Sequence, residues 1–303
     1  MADPLYGFKN VSQYGQTLVS DQLESNLYMW LQWGMLGIGG FTNVAFPARL
    51  RPVIDPRVTT PKGTTNFFEG SRSDWVWQSG VPYSSQPLAY SGLYVSGTFV
   101  PANSTGVYQH SVSYDQGKII FANPQPTGLP VSGTYCYRNT TVRRSDEQWF
   151  QTLLLRSENF STVPGSGGGF DILSQNRVSL PALVIEPINR VRAAPYEIGN
   201  RTRVHNQDFF VHCLAETPYE RRQLHDILIE QYDNDIPTFD KSKITYPLDY
   251  RGCLQSGALT FPQLCQTYPG QEMRVTNIAS TQNENLGDRI YWCSVRMTLQ
   301  TYI

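Results

Sequence analysis

The spacing of apolar and polar positions divides the chain into stretches of different character. From Asp21 to about Met35, Leu23, Leu27, Trp30, Leu31 and Met35 recur at helical spacing, with Ser20 placed to cap the segment. The glycines of Gly34–Gly40 (GMLGIGG) end that pattern; they follow a helix instead of joining a strand to one, so they are a terminator and not a dinucleotide fingerprint. Residues 41–90 (PARLRPVIDPRVTTPKG, then SRSDWVWQSGVPY) have no clear period and read as a long ordered arm with one short strand at Trp75–Gln78. Period-two alternation then predicts strands at Leu93–Val100, Val107–Tyr114, Lys118–Asn123, Thr134–Val142 and Trp149–Arg156. Asp115-Gln116-Gly117 supplies a hairpin turn between the second and third of these. Gly165–Gly169 lacks the Lys-Ser/Thr of a phosphate loop and reads as a flexible loop.

The last 130 or so residues change again. Arg177–Ile188 and Gln207–Ala215 read as strands, the second apolar on both faces and therefore central. Thr217-Pro218-Tyr219-Glu220 is a capping box with proline at the first helical position, opening a helix to about Tyr232 that buries Leu224, Ile227, Leu228 and Tyr232. A final strand turns Tyr291, Cys293, Val295, Met297 and Leu299 to one side and Trp292, Ser294, Arg296, Thr298 and Gln300 to the other. The expected fold class is α+β, predominantly β: an antiparallel sheet or sandwich region, then a strand–helix–strand sheet with one or two packed helices. The expected divisions are 1–88 (helix and extended arm), 89–160 (small antiparallel β region) and 161–303 (α+β region containing the 218–232 helix).

Composition shifts this picture towards a surface made for contact. Charged residues are 16 % of the chain, against about 25 % in typical soluble proteins. The basic residues are 19 Arg and five Lys, beside 18 Tyr and 6 Trp. Arg, Tyr and Trp are enriched at interfaces and Lys is depleted there, because a hydrated ammonium on a flexible stem is costly to bury. Drift in base composition gives the same Arg-for-Lys bias. The candidate interface residues are Trp75, Trp77, Tyr83, Arg143, Arg144, Arg190, Arg192, Arg221, Arg222 and Trp292.

Other signals narrow the chemistry. A net charge of −1 gives no basic field to attract nucleic acid from a distance. Five cysteines with no CxxC, and no charged-then-apolar leader, point to a reducing compartment without disulfides. No apolar run reaches the roughly 20 residues of a membrane helix. There is no GxSxG, HExxH, phosphate loop or Rossmann pattern. His212 and Cys213 are neighbours on a strand and face opposite ways; His225 and Asp226 diverge on a helix. Asp233, Asp235 and Asp240 lack calcium-loop spacing. The expectation is a non-enzymatic protein with no cofactor and no metal.

Two stretches carry a family resemblance. SGLYVSGTFVPANSTGVYQHSVSYDQGKIIFANP (Ser91–Pro124) is similar to a pattern in virion structural proteins of large contractile-tailed bacteriophages, cyanophages among them. Gly92, Tyr94, Gly97, Phe99, His110, Tyr114, Gly117 and Phe121 occupy it, with Ser113 where the family often has Asp. Val211–Asp240, followed by Tyr246–Leu264, resembles the strand, capped helix and D-x-x-I-P-x-F-D arrangement of the same proteins. The resemblance implies a ring-forming neck, connector or tail subunit at the head–tail junction, made in the host bacterial cytoplasm and located in the virion. Its implied partners are copies of itself in a six- or twelve-fold ring, other virion proteins, and genomic DNA in non-specific proximity; no membrane is implied. A carbohydrate-binding or host-attachment module is the alternative, with Trp75, Trp77 and Trp292 as stacking platforms.

Overall fold

The structure, a computed structural model, describes residues 18–55, 58–146, 179–195, 203–281, 284–286 and 290–302. The first helix, α1 (Val19–Gly37), buries Leu23, Leu27, Leu31 and Met35 along one stripe and half-buries Trp30. Each such aliphatic side chain contributes about 1.5–3 kcal/mol by leaving water. Leu18, not Ser20, is the N-cap, and the Ser20 hydroxyl instead donates to Gln207 Oε1 at 2.9 Å. The helix ends as its glycines predict: Gly39 N and Gly40 N donate back to Leu36 O and Met35 O, with Gly39 at φ 81°.

Residues 41–144 build a two-sheet sandwich and then leave it. The strands are β1 (Phe41–Arg49), β2 (Arg51–Val53), β3 (Thr64–Glu69), β4 (Gly92–Val95), β5 (Thr98–Pro101), β6 (His110–Ser113), β7 (Lys118–Pro126), β8 (Val131–Arg138) and β9 (Thr141–Arg144). One four-stranded sheet has the order β1-β8-β4-β5 and the other β2-β3-β7-β6. A single stretch of chain forms an edge of both, because β1 passes into β2 at Leu50, which is buried and bonded to Val131 O. Leu50, Phe68, Trp75, Leu93, Ile119, Phe121 and Tyr135 fill the space between the sheets.

This corrects the reading of 41–90 as an arm. Its three strands are integral to the sandwich, so no division falls at 88, while α1 packs on the C-terminal sheet instead. Trp75 makes one isolated bridge to Tyr137 and is not in a strand. The stretch read as one strand at 93–100 is a hairpin, with Ser96 and Gly97 both at positive φ in its two-residue turn. The 115–117 hairpin stands as read, Ser113 lying opposite Lys118 with Gly117 at φ 64°. A Cβ at Gly117 would fall 2.4 Å from Arg72 O, so the turn needs glycine for space as well as for φ. The strand expected at 149–156 and the loop at 165–169 lie outside the described residues.

The second lobe is one large sheet with helices on one face. Its further elements are β10 (Ala182–Pro195), β11 (Arg203–Ala215), α2 (Pro218–Ile229), β12 (Asp235–Ile236), α3 (Phe261–Thr267), β13 (Met273–Ser280), β14 (Glu284–Leu286) and β15 (Ile290–Tyr302). The order is β12-β13-β15-β11-β10-β9, with β14 beside β15. All pairs are antiparallel except β9 with β10, so β9 carries the chain out of the sandwich into this sheet. β11 is interior, as its apolar faces require, and Cys293, Val295, Met297 and Leu299 of β15 face α1, α2 and α3. Thr217 Oγ1 accepts from Glu220 N at 3.2 Å, confirming the cap of α2. That helix stops three residues early, leaving Tyr232 62 % exposed instead of buried. The architecture is α+β and predominantly β.

Candidate functional site

The two lobes meet at a buried charged junction. Asp74, at the positive φ of 56° that an aspartate tolerates better than most residues, turns its carboxylate inward. It accepts from Arg143 Nη2 at 2.6 Å, Thr141 Oγ1 at 2.9 Å and Ser73 Oγ at 3.0 Å. These bonds tie the Ser73–Gln78 segment to β9. Arg138, at the end of β8 and 6 % exposed, donates through Nη1 to Gln32 O of α1 at 3.0 Å and through Nη2 to Gln78 Oε1 at 2.8 Å. Burial pushes its pKa down, and the nearby Asp74 charge opposes that. Arg144 reaches Glu24 at 3.6 Å and lies 5.2 Å over the Tyr28 ring, while burial raises the Glu24 carboxyl against the pull of Arg144. Tyr246, 37 % exposed, lies at the rim of the junction beside Tyr28, and desolvation of its hydroxyl raises its pKa well above the ordinary value. Asp74, Trp77, Arg138, Arg143 and Tyr246 line a small cavity here.

Three of the sequence-derived candidates, Trp75, Trp77 and Arg143, are brought together at this junction, and the structure corrects the placing of Trp75 on the surface. Trp75 is 2 % exposed, stacked on Tyr135 with centroids 4.2 Å apart and bonded through Nε1 to Arg72 O, so it is core and not contact surface. Trp77 is half-buried in the cavity wall. Arg143 and Arg144 are committed to Asp74 and Glu24. Trp292 is half-buried on the helix-free face of the large sheet, far in sequence from the others. Tyr83, Arg192 and Arg222 are exposed, Arg221 is half-buried, and the Arg190 side chain lies outside the described residues. Asp74 and Arg138 went unread because an isolated Asp in a turn and a strand-end Arg carry no local signature of burial.

On that helix-free face His212, Ser294 and Glu186 form a chain across three adjacent strands. His212 Nε2 lies 2.8 Å from Glu186 Oε2 and Nδ1 lies 2.6 Å from Ser294 Oγ, while Trp292 Nε1 donates to Nδ1 at 3.2 Å. The tryptophan can only donate, so Nδ1 accepts and the proton sits on Nε2, facing the carboxylate. Cys213 points the other way, into the core opposite Cys293, as strand alternation requires. Ser294 sits mid-strand with His212 as its register partner, which spends its neighbouring backbone donors on the ladder. The His225–Asp226 pair, expected to diverge, does meet at 3.2 Å on the surface. Asp233 and Asp235 are taken by Arg274, and Asp240 by Ser242 and Lys243. Among the described residues no group of three or more His, Cys, Asp or Glu is placed to hold a metal, and all five cysteines are free thiols.

Burial holds His212 and His110 below the ordinary 6.5, with the Glu186 bond opposing the shift at His212. Below pH 6.5 the unfolded chain therefore binds protons that the native state refuses, and stability falls as pH drops. Each such histidine contributes a slope of up to about 1.4 kcal/mol per pH unit. Urea unfolding at pH 7.5 and 5.5 is expected to show this loss, with a smaller loss in His212→Gln. An equal loss in the variant assigns the effect elsewhere.

The exposed apolar side chains are the remaining candidates. Phe46, on a β-bulge between Val44 and Ala48 of edge strand β1, is 86 % exposed, and Ile54, just past β2, is 70 % exposed. Arg49 and Arg51 stand exposed between them. Among the described residues no helix is long and apolar enough to cross a membrane. Neither a scan against protein-family models nor a search of curated proteins finds a match for this chain.

Proposed function

We propose that the protein is a structural subunit of a tailed-bacteriophage virion, a ring-forming neck, connector or tail component that works by being packed against neighbours. The observation that carries this reading is the β1–β2 edge. Among the described residues it is the open edge of two sheets at once, and it projects Phe46 and Ile54 into solvent on either side of Arg49 and Arg51. Exposed sheet edges are normally blunted by charge or covered, and a bare aromatic knob on a bulge is a feature that a partner surface would bury. In a ring each copy would offer this edge to a different surface of the next, a heterologous contact that closes by rotation. The resemblance of Ser91–Pro124 and Val211–Asp240 to phage virion proteins supports the same reading. The attachment-module alternative is weakened by the burial of Trp75 and the half-burial of Trp77 and Trp292, which leaves none of the three as an open stacking platform.

Light scattering of the purified chain across a concentration series tests the proposal. Defined multimers are expected, and Phe46→Ser should weaken association roughly 30-fold, the loss of an aromatic anchor worth about 2 kcal/mol. The variant should keep the wild-type melting temperature, since Phe46 has almost no folded-state contacts to lose. A wild type that remains monomeric at every concentration, or multimers indifferent to Phe46→Ser, would count against this edge as the subunit contact.

A further inference from the structure

Strand β6 is an edge of its sheet, and nothing in its own sequence protects it. It pairs with β7 in an unbroken register and contains no proline, lysine, arginine or carboxylate. The β1–β2 edge, by contrast, carries Pro47, Pro52, Arg49, Arg51 and a bulge. An edge without such devices is a template for another strand unless something covers it. What covers β6 is a hairpin from the other lobe, Pro247–Gln255. Ser113 makes an isolated antiparallel bridge with Cys253, and Tyr114 N donates to Gly252 O at 2.8 Å. Ser113 Oγ donates to Arg251 O at 2.5 Å, and Cys253 Sγ lies 3.8 Å from Ser111 Oγ. The hairpin holds its own shape: Gln255 N donates to Pro247 O, Asp249 N to Cys253 O and Gly252 N to Asp249 O, while Asp249 Oδ1 accepts from Arg251 N and Cys253 N. It buries little, with Tyr250 92 % and Leu254 43 % exposed and only Pro247, Gly252 and Cys253 buried. A unit that is stiff in itself and has few apolar contacts with its seat opens at a lower free energy than the whole fold.

We propose that the Pro247–Gln255 hairpin is a displaceable clasp over a self-pairing edge, and that when it lifts, β6 pairs antiparallel with β6 of a second copy. Two-fold pairing centred on this strand sets His110 opposite Ser113 and Ser111 opposite Val112, a ladder in which no like charges face each other. The contact is isologous, using the same patch on both copies, and so is distinct from the heterologous contact offered by the β1–β2 edge. Closed, the clasp is an autoinhibitory contact that keeps copies apart at β6. Its closure depends on Gly252, which sits at φ 74°. A Cβ there would fall 1.6 Å from Asp115 Oδ1, and that carboxylate is itself held by Ser113 Oγ at 3.0 Å.

Hydrogen exchange of the whole wild-type chain is the first test. The Tyr114 amide, whose acceptor belongs to the clasp, is expected to exchange at least about tenfold faster than the Val211 amide of β11 and to respond little to added urea, the mark of local opening. Gly252→Val should hold the clasp open and speed Tyr114 exchange by about a further tenfold. Gly257→Val is the control: its φ is 76° but its Cβ would have nothing within 4 Å, so it carries the backbone strain without the collision and should leave Tyr114 as in wild type. Light scattering is then carried out on the Phe46→Ser background, so that the β1–β2 contact does not contribute. Gly252→Val should form dimers there at concentrations where Gly257→Val does not. The proposal is overturned by Tyr114 exchange that tracks Val211, by Gly252→Val behaving as Gly257→Val does, or by an opened clasp with no gain in association. The wild-type exchange comparison decides the matter alone if Gly252→Val does not fold.

Discussion

Leu228→Asp is expected to leave no folded, soluble protein. Leu228 is fully buried beneath α2, in the cluster that joins α1, α2 and α3 to β11 and β15. Removing it forfeits about 2–5 kcal/mol of transfer and packing energy. Holding a carboxyl there in its neutral form costs roughly a further 4 kcal/mol at pH 7, the three or so units between its ordinary pKa and the solvent pH. The sum is comparable with the entire stability of an ordinary domain, about 5–15 kcal/mol. Soluble yield and near-ultraviolet circular dichroism measure the effect, with Leu228→Met as the volume-conserving control that should fold. A soluble aspartate variant with a native spectrum would mean that α2 can lift away from the sheet.

Asp74→Asn is expected to be the most damaging of the polar substitutions, at about 3–5 kcal/mol. Asparagine keeps the size and tolerates the positive φ at this position, so the change isolates the charge. It would leave Arg143, only 14 % exposed, without its carboxylate at the place where three segments converge. The urea midpoint should fall with an unchanged slope, the mark of lost stability without a changed unfolded state. The double variant Asp74→Asn/Arg143→Met should recover part of the loss, because it removes the stranded charge as well. Additive losses instead of recovery would show that the pair is screened by water and contributes little.

Much of this fold was legible wherever a long element carried a clean period. The α1 stripe, the alternation of β15, the doubly apolar β11 and the Thr217 cap of α2 all appear at or within a few residues of their expected places. The misreadings have physical causes. Residues 41–69 lack alternation because β1 is bulged and has prolines around it, and because an edge strand that switches sheets does not present one constant buried face. The 93–100 stretch hid a turn in Ser96-Gly97, where the serine adopts a φ that its residue type rarely signals. The short helix α3 was missed, although Gln263 Oε1 accepts from Thr260 N at 2.9 Å in a capping box spelled TFPQ; seven residues are too few to show a helical period. The charged junction was the least legible of all. Asp74 is far in sequence from Arg138 and Arg143, and only the fold draws them together: Arg138 N donates to Asp74 O at 2.9 Å, and Arg143 on β9 reaches the Asp74 carboxylate.

The placement of β15 sets an order of events during synthesis. It is the last strand of the sheet in sequence, yet it lies inside it, between β13 and β11, and pairs with β11 from Val204–Tyr302 to Ala215–Tyr291. While the ribosome is still making residues 216–289, the whole length of β11 is an open edge, and Phe209, Val211 and Cys213 lack their covering neighbours. The sandwich has no such debt, since all eight of its strands precede residue 139. The nascent chain can therefore mature its first lobe early, and must shield the second until its final strand emerges and is inserted as the keystone.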